Sequence, residues 1–106
     1  MYLVRRVYKT KPGEARRVAT LVQKQVQIYH DAGHREEFRV AFNPGTCPGE
    51  QNTVVLEWET HAFQSPGRPG NVRPTVGVEA GNAFKPYIED TWIEFWELLT
   101  PGKMQE

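Results

Sequence analysis

The chain of 106 residues has one cysteine, Cys47, so it forms no internal disulfide. It has no excess of charge either: 13 Lys and Arg balance 13 Asp and Glu, a net charge of zero. A general nucleic-acid binder usually carries a basic excess, so the balance argues against that class of partner. Long apolar runs are missing. The first residues, Met1-Tyr2-Leu3-Val4-Arg5-Arg6, reach charge almost at once, so neither a signal peptide nor a membrane span is expected. A cytoplasmic location is the default expectation. Internal repeats and low-complexity stretches are also lacking.

What is present suits one small domain with one core, residues 1–100, followed by a loose tail at 101–106. Hydrophobic residues make up 39% and charged residues 25%, the range of globular domains. Tyr2 to Lys9 reads as a strand. Pro12 and Gly13 break it, and Pro12 suits an early helical position. From Glu14 the apolar residues Ala15, Val18, Ala19, Val22, Val26 and Tyr29 recur at steps of three, four and seven, which defines one helix face. Gly33 is the expected stop.

A second strand runs from about Glu37 to Phe42 and a third from Thr53 to Thr60. The turn-rich segment from Asn43 to Asn52 connects them. His61 to Thr75, with three prolines and two glycines, reads as an irregular loop. A second, weaker helix is expected from Pro74 to Tyr87. Gly77 and Gly81 each cost it about 1 kcal/mol relative to Ala.

The last strand, Thr91 to Leu99, is apolar on both faces. Trp92, Trp96 and Leu98 point one way; Ile93, Phe95 and Leu99 point the other. A second apolar face must meet another sheet, another subunit or a ligand. Strand, helix, strand, strand, helix, strand predicts an α+β ferredoxin-like sandwich: a four-stranded antiparallel sheet with both helices on one face. The right-handed crossover rule places the first and third strands in the centre. Ile93, Phe95 and Trp96 are the candidate residues of a homodimer interface.

Each candidate for chemistry has a structural counterpart. His30 and His34 would share a helix face and could hold a metal, but Gly33 ends the helix between them. No metal site is therefore assigned. His30 near a helix C-terminus is also explained by the favourable partial charge there. Tyr8, Trp58, Tyr87 and Trp92 could line a pocket for a planar ligand, or pack as core. Glu57, Glu59, Glu94 and Glu97 face Arg5, Arg6 and Arg39 in rough register. They read either as cross-strand ion pairs or as a source of a general base with a raised pKa, with Glu57 first among them. Cys47 reads as a loop residue. Arg68 and Arg73 could clamp an anion or belong to a solvated loop.

The segments Tyr2-Leu3-Val4-Arg5-Arg6-Val7-Tyr8 before Pro12-Gly13, Phe38-Arg39-Val40, and Asn52-Thr53-Val54-Val55-Leu56-Glu57-Trp58-Glu59 resemble the dimeric alpha-beta barrel superfamily. The NIPSNAP-like branch is the nearest in look, beside the antibiotic-biosynthesis monooxygenases. The resemblance implies two protomers joined by their open sheet faces, and a cavity between sheet and helices. It implies binding of a small hydrophobic or aromatic molecule and a cofactor-independent monooxygenase reaction. His30 or Glu57 would then supply the base, and no cofactor is expected. Haem-degrading members use an Asn, a Trp and a His, and the first strand here has no Asn. Two other readings stand beside this one. One is a non-catalytic dimer serving structure or interaction; the other is an RNA-recognition fold, which lacks its Arg/Lys-Gly-Phe motif here.

Overall fold

The computed structural model describes residues 1–33, 37–61 and 83–105. Four strands, β1 (Tyr2–Thr10), β2 (Phe38–Asn43), β3 (Thr53–Thr60) and β4 (Ile88–Glu97), form one antiparallel sheet in the order β2-β3-β1-β4. The first and third strands are central, as the crossover rule requires. Helix α1 (Ala15–Asp31) packs on one sheet face. Together these give an α+β architecture consistent with the ferredoxin-like fold.

The helix buries the six residues that its periodicity marks: Ala15, Val18, Ala19, Val22, Val26 and Tyr29. All but Tyr29 join one cluster with Val4 and Tyr8 of β1 and Val54, Leu56 and Trp58 of β3. Fully burying a side chain of valine size contributes about 1.5–3 kcal/mol, so this seam dominates the favourable side of folding. Gly33 adopts φ +81, and its amide donates to the His30 carbonyl at 3.0 Å. That left-handed residue closes the helix where the sequence places the stop.

Several boundaries differ from expectation. Pro12 and Gly13 form a turn ahead of the helix rather than its first residues. Asn52 reaches across and accepts from the Gly13 amide at 3.4 Å, which ties this turn to the start of β3. β4 begins three residues early, at Ile88, because the turn at Lys85–Tyr87 delivers the chain directly into the sheet. The Lys11 amide donates to the Tyr87 carbonyl at 2.9 Å and fixes that entry. Residues Pro101–Lys103 form a 3-10 turn, and Lys103 pairs with Glu97 at 3.0 Å, so this part of the tail is held.

The expected loop after His61 and most of the second helix lie outside the described residues, as do His34, Arg68 and Arg73. Ala83 and Phe84 are helical, and Phe84 is buried against Tyr8 edge to face, with ring centroids 5.6 Å apart.

Val22 is fully buried between helix and sheet. Val22→Ala removes two methyl groups and leaves a small void, so it should lower stability by about 2 kcal/mol. Urea unfolding should show a lower midpoint with unchanged slope. Gln23→Ala, one residue on but exposed, should shift stability by less than about 0.5 kcal/mol.

Candidate functional site

Side chains alternate along each strand, so register assigns every strand residue to a face. The face under α1 carries Val4 and Tyr8, Val54, Leu56 and Trp58, Phe38 and Val40, and, across from β1, Ile93 and Phe95. The opposite, open face carries four rows that cross the strands, the fourth of them polar: Asn43, Thr53, Lys9 and Asp90. Ala41, Val55, Val7 and Trp92 form an apolar row. Arg39, Glu57, Arg5 and Glu94 form a charged row in which the sign alternates from strand to strand. Glu59, Leu3 and Trp96 form the third.

Glu57 is the centre of the charged row. Arg5 donates Nε to its Oε1 at 2.9 Å, with Nη2 at 2.8 Å. Arg39 donates Nε to Oε2 at 3.0 Å, with Nη2 at 2.9 Å. Each carboxylate oxygen thus receives one guanidinium fork. The Glu57 side chain is 11% exposed and that of Arg39 is 78% exposed. Burial pushes the Glu57 carboxyl up. The hydrogen bonds and positive charges of Arg39 and Arg5 outweigh burial and hold it below the usual glutamate range. This is the cross-strand ion pair among the two readings of the acids, and its pKa direction is opposite to that of a base poised near neutrality.

Glu94 is held differently. Trp92 donates its indole N–H to Oε2 at 3.0 Å and Trp96 donates to Oε1 at 3.2 Å. The three residues sit on one face at positions 92, 94 and 96. Among the described residues no cation forms an ion pair with Glu94. Both indoles stay exposed, Trp92 at 40% and Trp96 at 54%.

A concavity of about 590 Å³ opens at the β2–β3 side of this region. Met1, Leu3, Glu37, Phe38, Arg39, Glu57, Trp58, Glu59 and His61 line it. His30 stands behind that lining. Its Nε2 lies 3.3 Å from Glu37 Oε1, and its ring is tilted against Phe38 at 6.0 Å. Its Nδ1 is buried without a hydrogen bond, and it occupies the last turn of α1, where the helix dipole favours a cation. No group of three or more potential metal ligands occurs among the described residues.

The four candidate pocket residues fall in different places. Trp58 is buried and borders the concavity. Tyr8 is core, four residues along β1 from the register partner of Trp58, a separation of about 13 Å at strand rise. Tyr87 is half-buried near Tyr8's end of the sheet; its hydroxyl accepts from Arg17 at 3.2 Å, and the guanidinium lies 5.0 Å from its ring centre. Trp92 is on the open face. Of the candidate interface residues, Trp96 is on the open face, whereas Ile93 and Phe95 share the helix-side face and are 41% and 38% exposed. Sequence reading missed Phe38 and His61 as lining residues, and it missed the Trp92–Glu94–Trp96 clamp. The spacing Trp-x-Glu-x-Trp on one strand was its signal. Cys47 is exposed in the β2–β3 loop, as expected.

No protein-family model and no curated protein matches the chain. Solved structures do. The chain is similar to protein Atu4242 from Agrobacterium tumefaciens, with TM-score 0.58 and 15% identity over 92% of each chain. It is also similar to an uncharacterized NIPSNAP domain protein from Burkholderia xenovorans, with TM-score 0.47 and 19% identity over 100% of each chain. At such identities the likeness is one of fold. The likeness to Atu4242 is one of α+β fold, a four-stranded antiparallel sheet with a helix on one face. No helix among the described residues is long and apolar enough to cross a membrane.

The lowered pKa of Glu57 has a defined sign. Its pairing adds stability above the ordinary glutamate value of about 4.3, and this is lost as pH falls through the lower folded value. Glu57→Gln should cost about 1–3 kcal/mol at neutral pH, less than a fully dry pair because the guanidiniums reach water. The gap between variant and parent, read from urea midpoints, should narrow steadily as the pH is lowered below about 4.

Proposed function

We propose that this protein is a homodimer that joins through its open sheet face and binds a small hydrophobic or aromatic molecule in the concavity beside Glu57. The observation that carries this reading is the exposure of Trp92 and Trp96 on the sheet face opposite α1, continuous with the apolar row Ala41–Val55–Val7. Large apolar side chains grouped on one face mark an interaction surface, and aromatic residues are enriched in such surfaces. The lining of the concavity supports the ligand class: Leu3, Phe38 and Trp58 offer apolar and aromatic area, and Arg39, Glu57 and His61 offer polar groups that could orient a guest.

The monooxygenase reaction implied by the resemblance requires a base beside the substrate. Glu57 lines the concavity, but both its oxygens are engaged by guanidiniums and its pKa is lowered. His30 stands behind Glu37 and Phe38. These placements favour binding over proton abstraction, and they favour the non-catalytic dimer as the second reading.

Light scattering at micromolar concentration should give twice the chain mass for the parent protein. Trp96→Glu puts a charge on the exposed face and should give a folded monomer. A monomeric parent, or a Trp96→Glu variant as dimeric as the parent, would sink the interface. For the ligand, 1-naphthol should quench indole emission saturably, and Phe38→Ser should weaken that binding several-fold. Linear, non-saturating quenching in both proteins would remove the pocket.

A further inference from the structure

The open face carries a pattern that selects the orientation of its partner. We infer that a second copy lies with its β4 over β2 and its β2 over β4, so that Glu94 and Trp96 of the second copy close the concavity of the first. This inference rests on the homodimer reading and adds the geometry of the pair.

A two-fold axis that brings two sheets face to face lies in the plane between them. For two sheets whose strands stay aligned, it runs either along the strands or across them. Across the strands at the level of the charged row, each residue of that row meets its own copy: Arg39 meets Arg39 and Glu94 meets Glu94. Like charges in a drying interface oppose association. Along the strands, between β3 and β1, the axis reverses the order of strands and leaves the rows aligned. Because the row Arg39–Glu57–Arg5–Glu94 alternates in sign, reversal places each charge over its opposite. The row holds two cations and two anions, so the pair buries no net charge.

The ends of the row matter most. Glu57 is already engaged by Arg5 and Arg39 within one chain. At the ends stand the Arg39 guanidinium, which pairs with Glu57 through Nε and Nη2 yet stays 78% exposed, at the β2 end, and Glu94, held by two indole N–H groups, at the β4 end. The strand-parallel axis brings these two ends together twice per dimer. Size agrees with charge in the neighbouring row. Trp92, the largest side chain there, falls over Ala41, the smallest, and Val55 falls over Val7. The alternative axis sets Trp92 on the Trp96 row. Aligned sheets cross at about 30°, which leaves the order of strands unchanged. In the third row, Trp96 of the second copy then lies beside Glu37 and Arg39, over the mouth of the concavity. Each ligand site is therefore built from two copies.

The test uses two charge reversals, Arg39→Glu and Glu94→Arg, in a dilution series by sedimentation. The parent is expected to dimerise. Each variant alone places like charges at both contacts and should raise the dimer dissociation constant about tenfold or more. Mixed one to one, the variants form a heterodimer with opposite charges at both contacts. At one, the introduced carboxylate at position 39 meets the introduced guanidinium at position 94. At the other, the native Arg39 meets the native Glu94, so the heterodimer should approach parental affinity. Recovery on mixing also demonstrates that both variants fold. A mixture as weak as either variant, or single variants as tight as the parent, overturns the orientation while leaving the dimer standing. A monomeric parent overturns the dimer and the orientation with it. Ala41→Trp, at a position exposed in one copy, gives an independent check. It should block Trp92 of the second copy and weaken the dimer, and an A41W dimer as tight as the parent counts against the arrangement.

Discussion

Glu57 is a carboxylate on a central strand, 11% exposed, and everything on the open face is arranged around it. A buried charge is expensive unless it is paired, and here two guanidinium forks take both oxygens. Those forks come from the strands on either side of β3, so the pairing spans three strands and links β2, an edge strand, to the centre of the sheet. A neutral side chain at 57 would leave Arg5 and Arg39 with no reason to converge. The face would then divide into an apolar strip and a row of loose cations.

The two faces of the sheet thus do different work. Under α1, valines at helical spacing meet alternating residues of β1 and β3, and the contact is non-directional. Such a face tolerates volume-conserving exchange. The open face combines apolar area with charges of fixed order. Apolar area favours association with many partners, while a charge pattern discriminates among them. On the interface proposed for this face, an ionic group contributes to choice of register more than to strength. That division explains why Glu94 is braced by two indoles: Trp92 and Trp96 supply area and hold the acid in place with the same rings.

Much of the fold was legible in the sequence because it depends on local period. The six buried residues of α1 follow from their spacing, Gly33 ends the helix as its permissive backbone allows, and β3 runs from Thr53 to Thr60 as read. The start of β4 was not legible. Lys85-Pro86-Tyr87 continues a helical pattern, while the hydrogen bond from Lys11 to Tyr87 and the pairing of Ile88 with Thr10 bring the chain into the sheet. The site was legible in part. Alternation sorts Arg5, Glu57 and Trp96 by face, but it does not say which residue of β2 stands beside Glu57. That depends on the register between β2 and β3, set by a nine-residue connection whose length alone leaves several registers open. The candidate pocket set Tyr8, Trp58, Tyr87 and Trp92 was chosen by aromatic character, and aromatic character carries no information about which face or which end of the sheet a ring occupies.

β4 raises the same question of register in its sharpest form. In most strands the apolar face fixes the pairing, because a slip of one residue would turn that face to water. β4 is apolar on both faces, so a slip exchanges Trp92 and Trp96 for Ile93 and Phe95 at little hydrophobic cost. Something polar must decide. Opposite charges directly across a strand pair favour one register, and the observed one sets Glu94 across from Arg5. A slip of one residue would place Ile93 or Phe95 there and carry Glu94 to the helix-side face, across from Val4 or Arg6, where it loses its place in the charged row. The Thr91 hydroxyl, which donates to the Val7 carbonyl at 2.9 Å, and the Leu98 amide, which donates to the Met1 carbonyl at 3.2 Å, anchor the two ends of the same register. The charges that order the open face, together with these two anchoring hydrogen bonds, therefore also favour the register in which that face displays Trp92 and Trp96.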